Sequence, residues 1–233
     1  MSHVTVRRLG HSAVALEHEG TTVLIDPFLT GNPTAAASAD EIAADAILLT
    51  HGHVDHIGDT VAIATRTGAS VAAIVELAGE LAGDLPDGHD VRDPNLGGTV
   101  IFEWGWARWV PAWHTSTTPK GTINTPAGIV VEIGDKRIYH LGDTALFSDL
   151  ALPGKRDRLD LALVPIGGHY TMDRFDAVVA AELIGAPQIV PIHYDTFPPI
   201  RTDAAAFAAD VGQAGAAQVS RSEERRVGKE CRL

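Results

Sequence analysis

Residues 46–58 read Ala46-Ile47-Leu48-Leu49-Thr50-His51-Gly52-His53-Val54-Asp55-His56-Ile57-Gly58. An apolar run of strand length gives way at once to four metal-capable side chains, His51, His53, Asp55 and His56. Imidazole and carboxylate are hard-to-borderline donors suited to zinc, manganese, iron or nickel, and no thiolate stands among them. In an extended stretch residues two apart face the same side, so His51 and His53 can grip one ion. The chain then turns into a helix start, which lets Asp55 and His56 face a second one. Gly52 and Gly58 permit the tight backbone path. Scattered polar loop residues have no reason to appear in this order at the mouth of an apolar strand.

Working outward, Val4–Leu9, Ala13–Glu17 and Thr22–Ile25 are short β-prone runs broken by Gly10 and by Glu19-Gly20, as in a meander. Downstream, a helix is expected over Asp59–Arg66, a strand over Ser70–Ile74 and a helix over Glu76–Ala82. The middle is β-rich, with Thr99–Glu103, Ala107–Ala112, Gly128–Ile133 and Arg137–Leu141; Gly134-Asp135 between the last two suits a tight hairpin. A strand over Leu159–Pro165 precedes a helix over Asp173–Ile184, in which Phe175, Val178, Val179 and Leu183 fall on one face. A strand at Gln188–Pro191 and a helix at Asp203–Val211 complete the pattern. Strand-heavy stretches each followed by helices point to two ββα-type halves, whose sheets pack face to face with helices outside.

Three later segments share the chemistry of the opening stretch, and each sits just past an apolar run: Trp113-His114-Thr115, Leu141-Gly142-Asp143-Thr144 and Pro191-Ile192-His193-Tyr194. With His-x-His-x-Asp-His, their order resembles the signature of the metallo-β-lactamase superfamily. That resemblance runs from about residue 4 to about residue 220. It implies an α+β, four-layer αβ/βα sandwich with metals at one edge of the two sheets. It also implies two divalent ions, the first on His51, His53 and His114, the second on Asp55, His56 and His193, with Asp143 bridging. Gly10-His11-Ser12-Ala13, Asp26-Pro27-Phe28 and the Pro165–Met172 segment resemble one subgroup, uncharacterised metal-dependent hydrolases related to L-ascorbate-6-phosphate lactonase.

The resemblance implies a hydrolase in which a metal-bridging hydroxide attacks a small ester, lactone or phosphoester. Metal-bound water has a pKa of roughly 7, so hydroxide is available at neutral pH. Two divalent ions less two aspartates and one hydroxide leave a site charge of about +1, which favours an anionic small-molecule substrate. Asp55 is expected to orient the nucleophile or pass a proton to the leaving group, and His169, after Gly167-Gly168, to donate to a substrate oxygen. Asp26, before Pro27, is either a turn former or a carboxylate that holds a ligand histidine. His11 is either a pocket residue or a structural one. His140 is expected in the core, and the tryptophans, Trp104, Trp106, Trp109 and Trp113, mainly between the sheets. A phosphodiesterase or nuclease, and a non-catalytic metal-binding module, are the competing readings.

Composition narrows these. The chain of 233 residues is 45% hydrophobic and 21% charged, ordinary globular values that suit a single domain, assigned to residues 1–220. Thirty acidic against 18 basic residues give a net charge of −12, which repels long nucleic acid. No apolar run approaches the roughly 20 residues that cross a membrane, the start lacks a secretion signature, and one cysteine forms no intrachain disulfide. A cytoplasmic protein is expected. Residues 221–233 break with the Ala-rich segment before them and resemble the translation of a sequencing-adapter oligonucleotide. They are expected to be a non-native tail. Taking away their five basic and three acidic groups leaves 13 against 27, or −14.

Overall fold

The computed structural model describes residues 3–220 and 224–227. The first half builds strands β1 (Val4–Gly10), β2 (Ala13–His18), β3 (Thr21–Ile25), β4 (Ala46–Leu48), β5 (Ser70–Ala72) and β6 (Val91–Arg92) with helices α1 (Val54–Ile57), α2 (Thr60–Thr67) and α3 (Val75–Ala82). The second builds β7 (Thr99–Phe102), β8 (Gly105–Pro111), β9 (Ala127–Ile133), β10 (Lys136–His140), α4 (Ala151–Arg156), β11 (Leu161–Pro165), α5 (Arg174–Ile184), β12 (Gln188–Ile192), α6 (Ala204–Ala214) and β13 (Gln218–Val219). A last strand, β14 (Glu224–Val227), pairs antiparallel with β1. It lies within the segment expected to be non-native, fills the edge that β1 would otherwise present, and buries Val227.

The strands form two seven-stranded sheets, ordered β14-β1-β2-β3-β4-β5-β6 and β13-β12-β11-β10-β9-β8-β7. Alternate residues of both inner faces, among them Val14, Leu16, Val23, Ile25, Leu48, Trp109, Ile129, Val131 and Leu163, make one core between the sheets. The opposite residues pack under the helices: Leu24, Ile47 and Val71 with Ile63, Leu77 and Leu81 of α2 and α3, and Val130, Tyr139 and Val164 with Ala177, Ala181 and Phe207 of α5 and α6. Helix, sheet, sheet, helix is the expected α+β four-layer sandwich. The β9–β10 hairpin turns at Gly134 and Asp135, both at positive φ (51° and 63°), as a two-residue turn between twisted strands requires.

Two details differ from the sequence reading. In α5 Phe175, Val179 and Leu183 of the apolar stripe point outward, Phe175 being 62% exposed, while Val178 packs partly buried beside the core residues Ala177, Ala180, Ala181 and Ile184. Both faces of this helix are apolar, and small side chains let it approach closely. Helix α4 forms where the sequence reading assigns no element; its Pro153 sits in the first turn, where proline's missing N–H has no partner to lose.

The topology sets up the site. Strands β3, β4 and β5 are parallel, as are β10, β11 and β12, so the ends of β3, β4, β10 and β12 open at one edge of the sandwich. Trp109, wholly buried between the sheets, donates its indole N–H to the Leu49 carbonyl (3.1 Å), tying the second sheet to the residue just before Thr50.

Candidate metal centre

The residues that follow those strand ends converge. Asp143 lies just beyond β10 and is 3% exposed. Its Oδ2 is 3.1 Å from His193 Nε2, 3.6 Å from His114 Nε2 and 4.0 Å from His51 Nε2, and its Oδ1 is 3.4 Å from His56 Nε2. Four imidazoles from three separate segments thus aim their Nε2 atoms at one buried carboxylate on a fourth. His53 closes the first group: its Nδ1 is 3.0 Å from His51 Nε2, and ligand-capable atoms of His51, His53 and His114 all lie within 4.8 Å of one another. A second group of the same compactness contains His11, Asp55, His56 and His193. All seven residues expected from the sequence therefore lie at this edge.

The local chain path explains why. Gly52 has no room for a side chain, since a Cβ there would sit 2.5 Å from Asn124 Nδ2 and 2.8 Å from Thr118 Cγ2. Its N–H is taken by Ser116 Oγ (2.9 Å) and Asn124 Oδ1 (3.1 Å), so the 115–126 loop braces the turn that carries His51 and His53. Gly58, at φ +36°, passes 2.6 Å from the Pro27 carbonyl at its Cβ position and ends α1, the one-turn helix bearing Asp55 and His56. Trp113 donates its N–H to Thr144 Oγ1 (3.0 Å) and accepts from Ala145 N (3.0 Å), which joins the His114 loop to the Asp143 loop.

Asp26 is fully buried and orients one histidine of each group. It accepts the Thr50 N–H at Oδ1 (2.8 Å), and the Thr50 hydroxyl (2.6 Å) and His56 Nδ1–H (2.7 Å) at Oδ2. Its proton given to Asp26, the Thr50 hydroxyl accepts from His51 Nδ1 (3.0 Å). With Nδ1 so engaged, each ring in its neutral form carries its hydrogen there and turns the Nε2 lone pair inward, the state a cation needs. Of the two readings of Asp26, the histidine-holding one matches this geometry. The backbone is bent hard here: His11, Asp26 and His193 sit at φ 54°, 48° and 53°, a left-handed region costly for residues with a Cβ.

The electrostatics are those of a centre built for positive charge. Burial above all, with His56 nearby, holds the His51 pKa well below its ordinary value, and burial likewise lowers those of His53 and His114. For His56 burial opposes the charged form, but Asp143 and Asp26 outweigh it and raise the pKa well above the usual range. Burial would raise Asp143, yet His193 and His56 hold it well below the usual carboxylate range. Asp55 is also lowered, the hydrogen bond from His11 and the neighbouring His56 overriding burial. His11 itself is pushed down to about 4 by burial. Among the described residues, His56 Nε2, Asp143 Oδ1 and His193 Nδ1 are buried with no hydrogen-bond partner. His56 Nε2 and Asp143 Oδ1, orphaned and 3.4 Å apart inside the cluster, fit a divalent cation as their missing partner.

Comparison with known proteins gives this geometry a family. A family model described as a beta-lactamase superfamily domain matches residues 21–194. The chain belongs to the metallo-β-lactamase superfamily. A UPF0173 metal-dependent hydrolase of Thermus thermophilus is 54% identical over 208 residues, spanning 88% of this chain and 90% of that one. Another from Shouchella clausii is 48% identical over 204 residues, spanning 85% and 89%. Among solved structures, a metallo hydrolase from the hyperthermophilic archaeon Ignicoccus hospitalis superimposes with a TM-score of 0.88 at 33% identity, covering 98% of this chain and all of that one. This member of the superfamily is a metal-dependent hydrolase with His and Asp groups able to hold metal.

Other residues of this metallo-β-lactamase-superfamily chain fall as follows. His140 is fully buried and satisfied, its Nε2 on the Ser12 carbonyl (3.0 Å) and its Nδ1 accepting from Gly142 N (3.1 Å). His169 is exposed on the loop after β11, at φ 58°, with its ring edge-on to Tyr170. That loop packs on the site through Gly167, whose Cβ position lies 2.2 Å from the His193 carbonyl oxygen. Trp109 is in the inter-sheet core, Trp104 packs against it and Trp106 lies under the outer helices. Trp113 is 68% exposed beside His114, contrary to the expectation of core packing, because it sits past the end of β8 where no second sheet covers it. Thr50, Ser116, Asn124 and Thr196 escaped the sequence reading. Neutral hydroxyls and amides have no spacing rule, and only Thr50, adjoining His51, had position as a signal.

Proposed function

We propose that the chain is a binuclear hydrolase acting on a small ester, lactone or phosphoester. His51, His53 and His114 hold one divalent cation, Asp55, His56 and His193 a second, and Asp143 stands between them. The observation that carries the reading is the Asp143 carboxylate, 3.1–4.0 Å from the Nε2 atoms of histidines of both groups. Such cations, zinc foremost or manganese, iron or nickel, supply an activated water at neutral pH and polarise the oxygen that gains charge.

The protein's own residues do the remaining work. Asp26 keeps the lone pairs of His51 and His56 pointed inward, so the donor set is formed before anything binds. Asp55, only partly buried with its carboxylate held below the usual range, is the group able to orient a nucleophile or take and return a proton at its carboxylate oxygen. His169, on the exposed rim loop, donates from its ring to an oxygen of the substrate. Exposed Trp113 beside His114 offers that substrate a flat apolar wall. The chain's net charge of −12 turns long polyanions away and leaves the centre to a small, anionic substrate. Among the described residues no helix is long and apolar enough to cross a membrane. A cytoplasmic setting belongs to the same proposal and rests on the composition.

The test is metal-stripped protein reconstituted separately with zinc and with manganese. Metal per chain is counted, and turnover is measured on carboxylic esters, lactones and bis(p-nitrophenyl) phosphate. Two equivalents with turnover on one of these classes is the expected result. Two equivalents with no hydrolysis across the panel would mean a metal-binding module instead, and one equivalent would end the binuclear reading.

A further inference from the structure

His11 lies in the turn between β1 and β2, far in sequence from the ligand motifs, and its side chain is wholly buried. The turn is locked from outside, since Gly10 (φ +106°) passes so close to Thr34 that a Cβ would sit 2.4 Å from its carbonyl oxygen. Three contacts hold His11, two of them to members of the second group. Its Nε2 is 3.2 Å from Asp55 Oδ2, its Nδ1 is 2.9 Å from Thr196 Oγ1, and its main-chain carbonyl accepts the His193 N–H at 3.1 Å. The His11 and His193 rings also pack at 4.1 Å between centroids.

The hydrogen-bond directions follow. The Thr196 hydroxyl has two acceptors in reach, His11 Nδ1 at 2.9 Å and the Tyr194 carbonyl at 3.4 Å, and the shorter contact takes its proton. With Nδ1 accepting, the neutral ring carries its hydrogen on Nε2 and donates it to Asp55. Packing alone, against Phe28 and Phe197, asks for neither nitrogen to be matched and gives no reason to hold a non-glycine residue at φ 54°.

We propose that His11 is a positioning residue for the second cation's ligands, orienting Asp55 through its Nε2–H and His193 through its main-chain carbonyl. The inference rests on the two-cation reading above. In this arrangement Thr196 selects the His11 tautomer, His11 fixes one oxygen of Asp55, and the other carboxylate oxygen is left for a cation. A hydrogen-bond partner one step behind a ligand acts by restricting its orientations, so its loss is felt as lost metal affinity.

The experiment titrates metal-stripped wild type, His11→Gly and His11→Gln with Co(II), following heat and visible absorption. Glycine removes the ring without straining the turn, and glutamine restores an amide N–H able to reach Asp55. Wild type is expected to take two equivalents. His11→Gly should bind the first as wild type does, which also reports an intact fold, and the second about 10–100-fold more weakly. His11→Gln should recover most of that loss, with the second equivalent's absorption band unchanged in position and intensity. Wild-type affinity for the second equivalent in His11→Gly would overturn the proposal. So would failure of glutamine to rescue together with an altered band, the mark of a ring bound directly to the ion. If wild type itself takes only one equivalent, the two-cation reading fails and this inference falls with it.

Discussion

Asp26→Asn isolates the part of the site that works through hydrogen bonds alone. The wild-type carboxylate accepts three, from Thr50 N (2.8 Å), Thr50 Oγ1 (2.6 Å) and His56 Nδ1 (2.7 Å), in a fully buried setting. Asparagine fits the same volume and tolerates the φ of 48°, so backbone and packing are preserved. Its oxygen can replace Oδ1 toward Thr50 N, but its NH2 then confronts the Thr50 hydroxyl and His56 Nδ1–H. If His56 keeps its tautomer, a buried donor is unmatched at a cost of about 1–3 kcal/mol. If it switches, Nδ1 accepts from the amide but the proton moves to Nε2, and the inward lone pair is lost. Either way the site suffers. For a domain of this size about 2 kcal/mol corresponds to a fall in Tm of roughly 4–8 °C, and a lost orienting partner to about 10–100-fold in metal affinity. Calorimetry in chelator measures the first and zinc competition titration the second. A variant with Tm within about 1 °C of wild type and metal affinity within about twofold would refute the role given to Asp26.

The other two predictions concern the rim and the proton. Asp55→Asn should lower kcat by roughly 10²–10⁴-fold, the usual weight of a positioned acid or base; full turnover with both cations bound, counted by metal analysis, would remove Asp55 from the chemistry. His169→Ala, at an exposed loop position, should leave Tm within a degree or two, a surface change being worth about 0.5 kcal/mol or less, while raising KM or lowering kcat on whichever class is turned over. Unchanged kinetics would return His169 to a purely structural place on its loop.

The stretch from Ala46 to Gly58 carried its chemistry in plain sight, because an apolar run followed by closely spaced donors needs only local rules, strand alternation and a helix turn, to be understood. His114, Asp143 and His193 were legible because each follows an apolar run and matches, in order, the ligand pattern of the metallo-β-lactamase superfamily. The two packed halves followed from the order of strands and helices, and the four-layer sandwich from the family resemblance. What chain order could not carry is which long-range neighbour satisfies which polar atom. Asp26 before Pro27 reads equally well as a turn former, and only the meeting of the β3 and β4 ends made it the acceptor that orients His51 and His56. His11 and Thr196 are separated by 185 positions and joined at 2.9 Å, a pairing no periodicity encodes. The outward face of α5 and the exposure of Trp113 belong with these, since apolar character says that a side chain prefers cover, while only the packed fold decides which candidates receive it. Sequence set the identity and order of the donors through short-range geometry; tertiary structure chose their partners, orientations and protonation, because those depend on atoms brought close by chain closure across the whole domain.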